Sequence, residues 1–235
     1  LDPRVLRRIE PKLHQFELST ALYLDTETTG LSGGSGTYPF MIGLAYFQSC
    51  PQTQQLQCVI EQLMMSEYSQ EKSMLAYLLE RCQQHSGLVS FNGKAFDAQL
   101  LDTRLCLHRF SQRLDKIPHL DLLPLSRRLW SKALSDCRLE TLETELLKLP
   151  RHGDIPGWMI PQTYFQFLQK NDARGLALVA EHNRRDMLAM VGLVAGLSQL
   201  ANQPLAPEPI FLERLKPYED LGLGKLFFRL GKPEA

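Results

Sequence analysis

The order in which strand-like and helix-like patterns succeed one another restricts this chain more than any other feature of it. Residues 21–25, Ala-Leu-Tyr-Leu-Asp, form an apolar run closing on an acid, the pattern of a buried strand whose last residue emerges at a sheet edge. The Gly-rich stretch Ser32-Gly33-Gly34-Ser35-Gly36 leads to a second strand over 40–47, and the polar alternation of 56–60 reads as a third, so the chain opens as an antiparallel meander. Then the period changes. Met74, Leu75, Leu78 and Leu79 recur at helical spacing within 70–84, 87–91 reads as a strand, 98–110 as a helix and 117–120 as a short strand, with helices over 122–130 and 139–147. Strands first, then strand and helix by turns, predict an α/β domain around a mixed sheet.

The segment 150–161 holds three prolines and two glycines, which predicts an irregular loop. Its Trp158, Met159 and Ile160 are expected either to plug the core or to touch a substrate. A helix resumes at Pro161, and 173–200 is the longest helical stretch. These patterns divide the chain into an N-terminal extension (1–19), an α/β domain (20–203) and a tail (204–235), which is expected to be helical from Pro207 or to begin a further module. Leu1 in place of Met, and the end at Lys232-Pro233-Glu234-Ala235, fit a piece of a longer protein. There is no internal repeat.

At 235 residues, 44% hydrophobic and 22% charged, the chain has the size and composition of one globular domain with a substantial core, which excludes disordered and fibrous classes. Its 26 Lys and Arg balance 26 Asp and Glu, so no overall field draws it to nucleic acid or to an anionic membrane, and such a partner must be met by local charge. No apolar run approaches the roughly 20 residues that cross a bilayer, and no secretory signal opens the sequence. The expectation is a cytoplasmic protein with no membrane partner. Cys50, Cys58, Cys82, Cys106 and Cys137 are odd in number and widely spaced, without a Cys-x-x-Cys pair, which argues against disulfides and structural zinc.

The chemistry is concentrated in three segments. In Leu24-Asp25-Thr26-Glu27-Thr28-Thr29-Gly30-Leu31 the two acids are two apart on a strand and share a face. Their repulsion calls for a cation, and hard oxygen ligands select magnesium or manganese, although an Asp-x-Glu also occurs at ordinary solvated strand ends. Asn92-Gly93-Lys94-Ala95-Phe96-Asp97 is a turn that places Asp97 at the start of a helix, where it can cap the helix, bind metal or do both. Within Glu181-His182-Asn183-Arg184-Arg185-Asp186, His182 and Asp186 are four apart and look the same way along a helix, as a surface hydrogen-bonded pair also would. The Gly-rich segment lacks the Gly-Lys-Ser/Thr ending of a P-loop and reads as a hairpin. His119 and Asp121 are assigned no catalytic part, Asp121 being a helix cap.

Together these three segments resemble the motifs of the DEDD exonuclease superfamily. With Gly33-Gly34-Ser35-Gly36, Ser90-Phe91-Asn92-Gly93-Lys94 and Ile155-Pro156-Gly157, the chain looks most like the YprB-like branch of ribonuclease H-like domains, and its second motif is similar to the proofreading domain of family B DNA polymerases. The resemblance covers about residues 20–200 and implies a ribonuclease H-like fold: a five-stranded mixed sheet flanked by helices, the second strand antiparallel to the rest.

It also implies two Mg2+ or Mn2+ ions held by Asp25, Glu27, Asp97 and Asp186, with Asp25 bridging both, and hydrolysis of the 3′-terminal phosphodiester of single-stranded DNA or RNA to nucleoside 5′-monophosphates. His182 would accept or orient the proton of the attacking water. Here the sequence departs from the family pattern, which has a tyrosine four residues before the last acid or a histidine five before it. Thr28, Thr29 and Leu31 would hold the terminal nucleotide, unless Thr28 and Thr29 serve only the turn at Gly30. Asn92 would support Asp97 or form its turn, and Lys94, Arg184 and Arg185 would neutralise phosphates. The alternatives are a structure-selective endonuclease on the same site and a nucleic-acid-binding domain without turnover.

Overall fold

The structure, a computed structural model, describes residues 16–30 and 36–202, and from residue 199 onward the backbone alone. Leu31, residues 32–35, most of the N-terminal extension and the tail from 204 lie outside the described residues. The elements run β1 (Leu22–Thr28), β2 (Pro39–Ser49), β3 (Leu56–Met64), α1 (Glu71–Gln83), β4 (Leu88–Ser90), α2 (Asp97–Leu107), β5 (His119–Asp121), α3 (Leu122–Trp130), α4 (Leu139–Glu145), α5 (Ile160–Lys170) and α6 (Arg174–Asn202).

One sheet holds all five strands in the order β3-β2-β1-β4-β5. β2 is antiparallel to both neighbours, while β1, β4 and β5 are mutually parallel. The expected meander and mixed sheet are therefore both present. The expectation of a strand ending at an edge with Asp25 is corrected: β1 is the middle strand and continues to Thr28, because β2 pairs with it from Tyr23 through Thr28, with a register shift after Glu27. The third strand likewise outruns its polar alternation and ends at Met64, held against β2 by register pairs as far as Met41↔Met64.

Alternation along β1 divides the core into two layers. Leu22 and Leu24 face a cluster with Met74, Leu75 and Leu78 of α1, Leu101 and Leu105 of α2 and Tyr164 of α5. Tyr23 faces the other way, onto Trp130 of α3, Leu142 of α4 and Met187, Met190 and Leu193 of α6. By the same two-residue period Asp25 and Glu27 lie on the α6 face and Thr26 on the α2 face. A buried ionic knot fixes α1 to α2: Glu71, 1% exposed, accepts from Arg104 Nε at 2.6 Å and meets His108 Nε2 at 2.6 Å. Arg104 also lies 3.9 Å from the ring centre of Tyr38, which ties the knot to the strand hairpin.

The loop before α5 is irregular as expected, apart from a 3-10 turn at Gly157–Met159, and α5 begins at Ile160 with Pro161 in its first turn, where a missing N–H costs nothing. The core-plug expectation holds for Ile160, 3% exposed, and fails for Trp158, 67% exposed, and for Met159. A tight 3-10 turn between two buried isoleucines, 155 and 160, leaves its own side chains outside. All five cysteines are free thiols. Among the described residues no helix is long and apolar enough to cross a membrane.

Candidate active site

The sheet reverses its winding between β1 and β4. From β1 the chain winds outward through β2 and β3, then crosses to β4 on the far side, so the carboxyl ends of β1 and β4 flank a topological switch point, where α/β sheets leave a crevice. Asp25 and Glu27 stand on β1 there. The turn after β4 delivers Asp97 from the other side. That turn is built by backbone geometry: Asn92 has φ of +65°, and its N–H donates to Asp121 Oδ1 at 2.8 Å while the Lys94 N–H donates to Asp121 Oδ2 at 3.1 Å. A Cβ on Gly93 would lie 2.4 Å from Ser90 Oγ and 3.1 Å from Asp97 Oδ2, so only glycine passes there. Asp121 also caps α3 through the Leu123 N–H, and His119 is engaged with Ser90 Oγ at 2.7 Å.

Asp97 is the first residue of α2, with Phe96 rather than Asp97 in the capping position. Its side chain accepts from Thr26 Oγ1, the hydroxyl on the α2 face of β1. From α6, His182 and Asp186 face the same cleft, with His182 Nε2 3.6 Å from Asp186 Oδ2. The cleft has a volume of about 220 Å3, and its walls include Asp25, Glu27, Thr28, His182 and Asp186 with Gly157, Ile160 and Pro161.

Burial pushes the Asp25 carboxyl well above the usual range, Asp186, Glu27 and Asp97 push it further, and the Asn183 amide opposes them. Glu27 is raised in the same way, by burial and then by Asp186, Asp97 and Asp154, with Arg151 opposing. Asp97 and Asp186 are also raised chiefly by burial, relieved by Thr26 in one case and by Arg151 and His182 in the other. Asp25 and Glu27 of β1 thus feel both Asp97 from the turn after β4 and Asp186 from α6.

Several members were not foreseen. Asn183, fully buried, donates from Nδ2 to Asp25 Oδ2 at 2.8 Å and accepts from Gln62 Nε2 at 3.0 Å. Asp25, Gly43 and Gln62 are register partners in a row across β1, β2 and β3, and Asn183 lies over that row. A Cβ on Gly43 would come within 2.2 Å of Asn183 Oδ1. The glycine in an otherwise apolar strand was the available signal, since a strand glycine marks close approach of another group. Arg151, 4% exposed at its side chain, is the second omission: it donates to Glu143, to Asp154 Oδ2 at 3.0 Å and to Asp186. Asp154 in turn accepts from His182 Nδ1 at 2.9 Å. Burial alone would raise Asp154, but His182 and Arg151 hold it below the ordinary carboxylate value. An arginine and an aspartate within an apolar, Pro-rich loop were the hint.

The expected substrate contacts are divided. Thr28 lines the cleft and its hydroxyl donates to Gly30 O at 2.7 Å. Thr29 closes the hairpin, its N–H donating to Tyr38 O at 2.9 Å and its Oγ1 accepting from the Tyr38 N–H at 2.9 Å. Lys94 borders a separate cavity, between Ala98, Gln99 and Asp102 of α2 and Leu114, Ile117 and His119 at the entry to β5. Arg184 and Arg185 both pair with Glu181, at 2.7 and 2.9 Å.

As arranged here, no group of three or more His, Cys, Asp or Glu side chains among the described residues encloses an ion site. Asp25 is turned to Asn183, Asp97 to Thr26 and Asp186 to Arg151. The donor set nonetheless fits a hard divalent cation: it is all carboxylate oxygen, with Glu27 buried and Asp25, Asp97 and Asp186 partly so, and the repulsion at Asp25 and Glu27 is of a kind that a cation relieves.

A profile of the RNase_H superfamily matches residues 22–198, which takes in every strand and all three acidic segments. The chain belongs to the RNase_H superfamily. It is 33% identical over 187 residues to "Uncharacterized protein YprB" of Bacillus subtilis (strain 168), over 78% of this chain and 43% of that protein. The chain therefore spans under half the length of that relative. The family B DNA polymerase from the hyperthermophilic archaeon Pyrobaculum calidifontis superposes with a TM-score of 0.58 at 13% identity, over 89% of this chain and 28% of the polymerase, a likeness of fold. The five-stranded mixed sheet described above is RNase H-like. Nucleic-acid phosphodiester chemistry with divalent metal is the class of activity that this superfamily suggests.

Proposed function

We propose that this RNase_H domain is a metal-dependent 3′-to-5′ exonuclease of the DEDD type, acting on single-stranded DNA or RNA ends to release nucleoside 5′-monophosphates. The observation that carries the reading is geometric: β1 and α6 bring Asp25, Glu27, His182 and Asp186 to one cleft at the switch point of the sheet, and the turn after β4 sets Asp97 against Thr26, between the two acids of β1. Those four carboxylates are the residues to hold two Mg2+ or Mn2+ ions. Such ions supply the charge that activates a water and offsets the negative charge developing on phosphate and leaving oxygen.

The chain's own residues do the rest. Asp154 can only accept, so its bond to His182 Nδ1 keeps the proton on that nitrogen and leaves Nε2, on the Asp186 side, free to take a proton from water. The histidine four residues before the last acid thereby gains an orienting partner from the Pro-rich loop, which supports its use in place of the usual tyrosine. Asn183 and Gln62 fix the rotamer of Asp25 from behind. Thr28, at the cleft wall, is placed to meet the terminal nucleotide.

The test is end-labelled single-stranded DNA and RNA incubated with Mg2+, Mn2+ or chelator. A stepwise ladder from the 3′ end is expected with metal, lost with chelator and with Asp25→Ala. His182→Ala should slow it by about 100- to 10,000-fold, the usual contribution of a general base. Cutting of a circular single strand would overturn end dependence, and undiminished cleavage by Asp25→Ala would overturn the metal site.

A further inference from the structure

Trp158 sits where a folding chain gains nothing from it. Ile155 and Ile160, at 7% and 3% exposure, anchor the two ends of the loop, yet the indole between them is 67% exposed, the most open of the large hydrophobic side chains among the described residues. Among the described residues no ring stacks on it and no group bonds to it. The backbone is nonetheless fixed: Asp154 Oδ1 accepts from the Ile155 N–H at 2.9 Å, and the Met159 N–H donates to Pro156 O at 2.8 Å. The indole is therefore carried on a rigid turn. Its neighbours on both sides, Gly157, Ile160 and Pro161, form one bank of the carboxylate cleft.

We propose that Trp158 is a stacking platform for a nucleobase of the single strand whose end lies in the cleft, a substrate-positioning residue that selects unpaired over paired nucleic acid. A planar, exposed ring at the rim suits the face of any base, and an unpaired base offers a face that a base inside a duplex does not. Stacking also supplies affinity without net positive charge, which this chain of balanced charge lacks. The proposal rests on the exonuclease reading for the direction in which the strand runs, but binding can be measured without turnover.

The chain has two tryptophans, and the other, Trp130, is 1% exposed in the core, so quenching of tryptophan emission by added strand reports on Trp158. The experiment titrates the full chain, and its Trp158→Phe and Trp158→Ala variants, with single-stranded oligothymidylate and with a duplex, in Ca2+ and by anisotropy as well as emission. Expected are quenching by the single strand in the native chain, its loss in Trp158→Phe with near-native affinity, and a roughly 5- to 150-fold weaker Kd in Trp158→Ala, the range for one stacked base. Unchanged melting temperatures show that the variants fold. No quenching in the native chain, quenching that survives in Trp158→Phe, equal binding of duplex, or native affinity in Trp158→Ala would each overturn the proposal. Hydrolysis is assayed in parallel with Mn2+: failure of hydrolysis with Trp158-dependent binding intact overturns the exonuclease reading alone, and hydrolysis with unaltered KM in Trp158→Ala overturns the platform alone.

Discussion

Asn183 bridges Asp25 and Gln62 with no water-exposed surface of its own. Removing its amide by Asn183→Ala leaves the part-buried Asp25 carboxylate without that donor, which costs about 1–3 kcal/mol, while Gln62 keeps its bond to Ala180 O; urea unfolding would measure the cost, and turnover should fall with it because Asp25 loses its rotamer lock. Gly43→Ala should reproduce both effects through a methyl group pressed onto the Asn183 amide. Asp25→Asn is expected to act oppositely on the two quantities. Removing one of four repelling charges should raise the melting temperature in chelator while abolishing metal-dependent hydrolysis, and a lower melting temperature would show that repulsion does not dominate at that residue.

At the scale of elements, charge joins what apolar packing leaves loose. Arg151 links α4 through Glu143, its own loop through Asp154 and α6 through Asp186. Arg151→Ala strands those carboxylates, and breaking a buried pair in this way costs about 3–5 kcal/mol; the same magnitude is expected for Glu71→Ala between α1 and α2. Chemical denaturation tests both. On the outer surface of α6, hydrogen bonds from Arg184 and then Arg185 hold Glu181 down at about 2. A depressed folded value means that the contribution is present above the ordinary glutamate range and disappears as pH falls toward about 2. Half-exposed and screened, it amounts to under about 1 kcal/mol. The stability difference between the native chain and Glu181→Gln should therefore be small at neutral pH and vanish on acidification.

For the whole molecule, the proposed metal site would link cation binding to folding, since its residues meet only when β1, the turn after β4 and α6 are assembled. Mn2+ at about 100 times its Kd should stabilise the native chain by about 2.7 kcal/mol, seen as a rise in melting temperature that Asp25→Ala abolishes. A rise of the same size in the variant would place the ion elsewhere. From the sequence alone came the meander followed by alternating strand and helix, hence a mixed α/β sheet, because side-chain periods of two and near four are local properties of the backbone. Asp25, Glu27, Asp97, His182 and Asp186 were expected as a set only through the resemblance to the DEDD exonucleases, since an Asp-x-Glu on a strand or a His-x-x-x-Asp on a helix, taken alone, fits an ordinary strand end or helix surface equally well, and their catalytic use is the proposal made above. What the periods could not contain is how separate segments meet. Only the assembled fold set Asn183 over Gly43, brought Asp154 to the far nitrogen of His182, buried Arg151 among three acids and left Trp158 on the rim. Each depends on which surfaces approach across the sheet, a matter of long-range packing and desolvation that no short stretch of chain encodes.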